Sequence, residues 1–286
     1  MQIKLDNTSY IYNKGNKFEK RALDQINLEI NQGEFIGLIG HTGSGKSTLV
    51  QHLNGLMLPT EGKVFIDGKN SSDKKVSKTE IRKKVGLVFQ YPEYQLFEDT
   101  IYNDIAFGPK NIGCSEEEIE ERVRWACEMT GVDFKEAKEL SPFELSGGQK
   151  RRVAIAGVIA MKPKFLVLDE PTAGLDPIGR EEILSEIHRL YKEENITVIL
   201  ISHSMEDVAR LADRLLVMDN GRIIMDDKTR EVFKRSQELK DIGLNIPQVT
   251  EFMNAFQAKG NEVREDIYTV EEAFLEIKNY LRGQRL

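Results

Sequence analysis

Apolar positions along this chain follow two rhythms. Four short runs are apolar on successive residues: EFIGLIG (34–40), KVGLVFQ (84–90), FLVLDE (165–170) and TVILISH (197–203). A strand buried on both faces reads this way, so these runs predict a parallel sheet covered by helices. Segments 63–70 and 214–227 instead place short strands on either side of Asp67-Gly68 and Asn220-Gly221. Such dipeptides accept the positive φ angles of a tight hairpin, so antiparallel strands should flank the α/β core.

Residues from about 95 to 160 break the strand rhythm. The run SEEEIEERVRWACEMTG sets Ser115 and Glu118 in capping-box spacing and Gly131 as a stop, and predicts a helical subdomain inserted into the core. After residue 229 the chain turns helical again. Val249, Phe252, Met253 and Phe256 fall at i, i+3, i+4 and i+7, and a second amphipathic helix has Thr269 and Glu272 as its cap pair and Gly283 as its stop. We expect one domain over 1–229 and a C-terminal helical extension over 230–286, packed on its own core or docking a second subunit.

Charge and composition narrow the function. The 286 residues hold 40 basic and 47 acidic side chains, net −7, without the basic footprint of a general nucleic-acid binder. Cys114 and Cys127 are too few and wrongly spaced for a disulfide framework or a zinc site, and fit a reducing cytoplasm. The start MQIKLDNTSY has no apolar leader run. No apolar run approaches the ~20 residues of a membrane helix, so another chain must supply any membrane anchor. The basic stretch KKVSKTEIRKK (74–84) reads as a solvated surface, with contact to anionic lipid as the alternative.

The strongest chemical signal is Gly40-His41-Thr42-Gly43-Ser44-Gly45-Lys46-Ser47, followed by Thr48 and a helical pattern. It matches G-x-x-x-x-G-K-[ST] between a strand and a helix. Glycines let backbone N–H groups point inward at phosphate oxygens, and the helix N-terminus adds partial positive charge. Lys46 would reach the outer phosphates and Ser47 would offer its hydroxyl to Mg²⁺. Asp169, carried to a strand end by four apolar residues, would hold the same ion directly or through water. Glu170, the next residue, could orient and deprotonate a water aimed at the γ-phosphate. His203 ends another strand and could sense that phosphate or that water. Gln90 ends a third, and its amide oxygen can reach Mg²⁺. His52 and His188 lie in helical patterns and read as packing or surface residues. The His41 ring is expected to face solvent.

A second anion site follows at ELSGGQKRRVAIAG (144–157), where Ser146, Gly147, Gly148 and Gln149 open a helix. No second phosphate loop and no second Asp-Glu pair exists to serve it. The economical arrangement has two chains packed head to tail, each helix head completing the other chain's nucleotide site. Binding would close the pair and hydrolysis would reopen it.

Together, the phosphate loop, LSGGQ at 145–149, FLVLDE at 165–170, GLD at 174–176 and His203 resemble an ATP-binding-cassette ATPase, from roughly residue 3 to 230. The resemblance implies a RecA-like P-loop core with an antiparallel β subdomain. It implies that Tyr12 stacks on adenine, with Tyr10 as the other candidate, and that Asp176 communicates across the dimer. FQYPEYQLFEDTIYNDIAFGPKN (89–111) resembles the energy-coupling-factor (ECF) transporter ATPases, cobalt and nickel importers included. RRVAIAGVIAMKPKFLVLDEPTAGLDPIGR is most similar to the second ATPase subunit of vitamin-type systems. That likeness implies Mg²⁺ with ATP, a sister ATPase as partner (a homodimer being the alternative), and a membrane coupling protein docked beside Gln90. It also implies a separate substrate-capture subunit and a place on the cytoplasmic face of the membrane. A soluble ATPase acting on nucleic acid or the ribosome, and a non-enzymatic nucleotide-binding scaffold, remain as alternatives.

Overall fold

The structure is a computed structural model describing residues 1–283. Strands β1 (Gln2–Tyr12) and β2 (Lys20–Asn31) pair antiparallel, and β3 (Phe35–Ile39) then leads through the glycine-rich loop into α1 (Lys46–Leu53). β4 (Glu61–Ile66) pairs with β1 and turns into β5 (Lys69–Asn70). α2 (Lys78–Lys84) feeds β6 (Val85–Val88). A 3₁₀ turn over Pro92–Gln95 precedes the helical insertion: α3 (Ile101–Asn111), α4 (Glu116–Met129), the single turn α5 (Phe134–Ala137) and α6 (Gly147–Ile159). Then come β7 (Phe165–Asp169), α7 (Pro177–Glu194), β8 (Thr197–Ile201), α8 (Met205–Leu211) and the hairpin β9 (Arg214–Asp219)–β10 (Arg222–Lys228). α9 (Thr229–Lys234), α10 (Ser236–Asp241), α11 (Gln248–Ala258) and α12 (Val270–Gly283) complete the described chain.

The strands sort into an antiparallel sheet, order β2-β1-β4-β5, and a six-stranded sheet, order β10-β9-β3-β8-β7-β6, in which only β10 runs antiparallel to its neighbour. Every residue of β3, β6, β7 and β8 is buried, which is why their sequences show no polar alternation. One apolar core lies between this sheet and the helices from α3 to α9, and a second fills the space between the two sheets around α1. Both hairpins turn at the pairs read from the sequence, with φ of 53° and 74° at Asp67-Gly68 and 45° and 78° at Asn220-Gly221. Positive φ at both central residues is what a type I′ turn requires.

The Ser115–Glu118 capping box forms, and α4 stops at Met129 with Gly131 at φ 64°. Past residue 229 the packing divides at a different place from the composition. Val232, Phe233, Leu239, Leu244 and Ile246 join the larger core, while a separate small cluster of Met253, Val263, Ile267 and Ala273 begins with α11. Phe252 points out of that cluster, 54% exposed, because Met253 and Phe256 already fill the inner face. Thr269 caps α12 by accepting from the Glu272 N–H, and Gly283 is the last residue of that helix and of the described chain. Cys127 is buried, and burial pushes its thiol up to about 12, where it is inert at neutral pH.

One carboxylate in the larger core is incompletely matched. Glu186 on α7 approaches Arg152 of α6 at 3.5 Å, yet its Oε2 is buried with no partner. Burial pushes this carboxyl up to about 7 against the pull of Arg152 and Arg189. Between the ordinary carboxylate range and that value, the folded chain keeps a proton the unfolded chain has released, so stability falls as pH rises through the window. Glu186→Gln should therefore raise the thermal midpoint at pH 8 and flatten its decline from pH 5. A variant midpoint below wild type at pH 8 would contradict this account.

Candidate active site

Parallel pairing lines up the carboxyl ends of β3, β8, β7 and β6, the edge where open α/β sheets place their ligands. The loop over 40–47 leaves β3, Asp169 ends β7 with Glu170 next, and His203 and Gln90 each lie two residues beyond β8 and β6. The strands are thus slightly shorter than their apolar runs, and the polar residues sit in the loops just past the sheet edge.

The phosphate loop is tightly packed. Gly45 has φ 108°, and a Cβ there would stand 2.5 Å from the Ala22 carbonyl oxygen. A Cβ at Gly40 would come within 2.3 Å of the Met218 carbonyl oxygen. Only glycine lets the loop nestle between β2 and β9. Lys46 donates to the carbonyls of Gly40 (2.6 Å) and His41 (3.0 Å), and burial lowers its pKa against the opposing pull of Glu170 and Asp169. Ser44 Oγ is buried inside the loop without a partner. The His41 side chain is 39% exposed, and its ring is also tethered: its Nε2 lies 2.8 Å from Asp219 Oδ1 and its Nδ1 2.8 Å from the Thr42 carbonyl oxygen. The end of β9 supplies that carboxylate, which the local sequence around His41 does not reveal.

A small pocket of about 160 Å³ opens beside the loop, lined by Tyr12, Lys20, Gly43, Lys46, Ser47 and Thr48 among others. Tyr12 borders it, with its hydroxyl 3.1 Å from Thr48 Oγ1. Tyr10 does not. Its ring is packed edge-on against Tyr12 at 4.8 Å and His52 at 5.0 Å, which leaves Tyr12 as the available aromatic face. His52 is fully buried, with its Nδ1 2.7 Å from the Thr48 carbonyl oxygen, a packing residue as read from its helical pattern.

Asp169 is buried beneath the loop. Desolvation raises its pKa, with Glu170 adding to the rise, while the Ser47 hydroxyl, Lys46 and His203 work the other way. Glu170 follows in the left-handed region at φ 51°, a conformation that costs a non-glycine residue energy and clusters at functional sites. Both of its oxygens are engaged: His203 Nε2 lies 2.8 Å from Oε1, and Gln90 Nε2 donates to Oε2 at 3.2 Å. Three strand ends thus converge on one carboxylate, and all of these residues are brought together as the sequence implied.

Ser146–Gln149 is not part of that group. No hydrogen bond or ion pair among the described residues joins it to the phosphate loop. Its side chains form a reciprocal capping box: Ser146 Oγ accepts from the Gln149 N–H at 3.4 Å and Gln149 Oε1 accepts from the Ser146 N–H at 3.0 Å. Sequence reasoning passed over this box, although S-x-x-Q spells it. Gly147 has nothing within 4 Å of its Cβ position, so the head of α6 faces open space. Asp176 is likewise occupied within its own chain, accepting from the Gly179 N–H at 2.7 Å as the cap of α7.

Sequence reasoning also missed Glu93 and Arg151. Arg151 is 2% exposed on the inner face of α6 and forms a two-pronged ion pair with Glu93 at 2.7 and 3.0 Å. The signal was present: Arg151 stands four and eight residues before Ile155 and Ile159, both buried, so helical spacing puts it in the apolar stripe.

Comparison with known proteins agrees with this geometry. The family model for the ABC transporter matches residues 23–173. The chain is 59% identical to an energy-coupling factor transporter ATP-binding protein EcfA2 of Clostridium perfringens, across 97% of this chain and 98% of that one. It is 54% identical to the EcfA2 of Caldanaerobacter subterraneus, across 100% and 99%. Among solved structures, cbiO1 from Clostridium perfringens, part of the ABC transporter complex cbiONQ, superposes with a TM-score of 0.73 at 38% identity, covering 88% of this chain and 98% of that one. A dimeric post-hydrolysis state of the ATP-binding cassette MJ0796, bound to ADP and Pi, gives 0.69 at 31% identity, covering 79% and 98%. On its fold, its phosphate loop and these likenesses, the chain belongs to the ABC transporter family as an ATPase of the energy-coupling-factor branch.

Proposed function

We propose that this chain hydrolyses ATP at a site shared head to tail with a second ATPase subunit, and that the resulting closure and reopening drives uptake of a vitamin or a transition-metal ion through membrane partners. One observation carries the reading. Within one chain, the phosphate loop with Asp169 and Glu170 stands complete on one side, while an open, capped helix head at Ser146–Gln149 has nothing of its own to bind. The dimeric form of the MJ0796 cassette bound to ADP and Pi supports the pairing of two cassettes, and cbiO1 as part of the ABC transporter complex cbiONQ supports work within a transporter assembly.

The geometry supports a role for each site residue. Tyr12 offers its ring to adenine. The loop N–H groups and Lys46 take the phosphates, with Lys46 leaving the carbonyls of Gly40 and His41 for stronger charge-assisted bonds. The orphaned Ser44 hydroxyl gains a phosphate partner. No cluster of three or more His, Cys, Asp or Glu among the described residues could hold a metal unaided. Ser47, Asp169 and Gln90 are instead the few hard oxygen donors that suit Mg²⁺ held mainly by a nucleotide. Bound there, the ion would neutralise phosphate charge and relieve the cost of the buried Asp169 carboxylate. Glu170 would orient and deprotonate the attacking water once Gln90 releases Oε2, with His203 keeping its grip on Oε1. Ser146, Gly147, Gly148 and Gln149 would grip the partner's γ-phosphate, and Asp176 would report across the interface.

A groove of about 570 Å³ beside the Gln90 loop fits the membrane partner. Val88, Pro92, Leu96, Phe107, Gly157 and Met161 are among its lining, an apolar trough suited to a short amphipathic helix. Among the described residues no helix is long and apolar enough to cross a membrane. A membrane protein seated in this groove would hold the chain at the cytoplasmic face, with a further subunit capturing the cargo.

Two variants test the reading. Glu170→Gln should retain ATP binding and lose turnover by roughly 10²–10⁴, the usual worth of a general base. Turnover near wild type would refute the assignment. Ser146→Arg should block ATP-dependent association of the two ATPase subunits while leaving ATP binding to this chain's own loop intact. Unchanged association, followed by light scattering or cross-linking, would overturn the shared site.

A further inference from the structure

Arg151 is the largest fully buried side chain among the described residues, and its guanidinium holds three separate segments together. Nε and Nη2 donate to the two oxygens of Glu93 at 3.0 and 2.7 Å. Nη1 donates to the carbonyls of Pro171 (3.0 Å) and Ala173 (2.7 Å). Glu93 belongs to the 3₁₀ turn that starts two residues after Gln90, and Pro92 of the same turn lines the groove. Pro171 and Ala173 belong to the loop that follows Glu170. Arg151 itself stands in the second turn of α6, whose first turn carries Gly147 and Gly148.

These bonds close a circuit. Glu170 accepts from Gln90; the chain runs through Tyr91 to Glu93; Glu93 grips Arg151; and Arg151 grips the loop that leads back to Glu170. Tyr91 is bent into the left-handed region at φ 54°, and its ring centre lies 5.9 Å from the guanidinium carbon. The planar fork of arginine can serve a carboxylate and two carbonyls at once, which lysine cannot. A charge buried to this degree keeps its partners, because losing one leaves an uncompensated ion in a dry site. One buried charge thus ties the three segments to each other.

We propose that Glu93 and Arg151 are positioning residues for hydrolysis. Their pair makes the groove-lining turn, the head of α6 and the loop of Glu170 move as one body, so that a membrane protein seated in the groove sets where Glu170 and Ser146 stand. Neither residue touches the nucleotide. The proposal rests on the groove being the membrane protein's seat, as proposed above.

The test uses the purified membrane complex carrying wild type, Glu93→Gln, Arg151→Lys or both, with kcat, KM for ATP and thermal midpoint measured for each. Each single variant should lower kcat about tenfold at unchanged KM, and the double variant about tenfold instead of about a hundredfold, since members of one network are not additive. Stimulation of kcat by the membrane protein, relative to the ATPase pair alone, should disappear in Glu93→Gln. Wild-type kcat in Glu93→Gln, losses that multiply in the double variant, or KM rising in step with the fall of kcat would overturn the proposal, while a lower midpoint at unchanged KM is the expected cost of stripping a partner from the buried Arg151 charge. Should Arg151→Lys fail to fold, Glu93→Gln carries the test through its kcat, KM and stimulation. The groove is judged separately by Ala154→Trp, at a residue of α6 that also lines it. Failure to copurify the membrane protein supports that seat, and normal copurification removes it while the kcat cycle still decides whether the pair positions Glu170.

Discussion

Register in the parallel sheet is the constraint on which the site depends. Leu38 pairs with Ile201, Ile201 with Asp169, and Leu168 with Val88, so four strand ends from distant parts of the chain arrive at one level. Main-chain bonds alone do not choose that level. Buried side chains on both faces do, because a shift of one residue would exchange every side chain between the two cores. The site therefore inherits its geometry from packing that takes no part in the chemistry.

That geometry places the site under electrostatic load. Lys46 is partly desolvated and turned onto its own loop's carbonyls, Asp169 is buried with its charge disfavoured, and Glu170 is held in a backbone conformation uncommon for its type. Each of these groups is poorly matched to its surroundings and well matched to a triphosphate with a divalent ion. The binding energy of such a ligand would be partly spent in relieving those mismatches, which is how the two states of a switch come to differ in structure.

Much of this was legible in the sequence, for identifiable reasons. The core strands announced themselves because burial on both faces erases polar alternation. The phosphate loop and the two hairpins did so because positive φ angles select glycine, asparagine and aspartate at fixed places. The Asp169-Glu170 pair, Gln90 and His203 could be read as strand-end polar residues following apolar runs. What stayed hidden depends on contacts between segments far apart in the chain. Asp219 reaching His41, Glu93 reaching Arg151, and the placement of α9 and α10 in the larger core cannot be read from local spacing. The two capping boxes differ in legibility: S-x-x-E at Ser115 stands before an apolar-periodic helix, while at Ser146 two glycines separate the cap from Gln149, and S-G-G-Q reads equally as an anion-binding helix head.

That second box bears on how two subunits would meet. The first turn of α6 is already wound, with Ser146 and Gln149 each satisfying the other's main chain, before any second molecule arrives. Ordering a loop at the moment of contact would cost conformational entropy; here it is spent during folding. An encounter between two such surfaces should thus be limited by how often they collide in the right orientation rather than by slow rearrangement of the helix tip. A rigid, ready-made recognition edge of this kind favours rapid engagement, which suits a machine that must cycle.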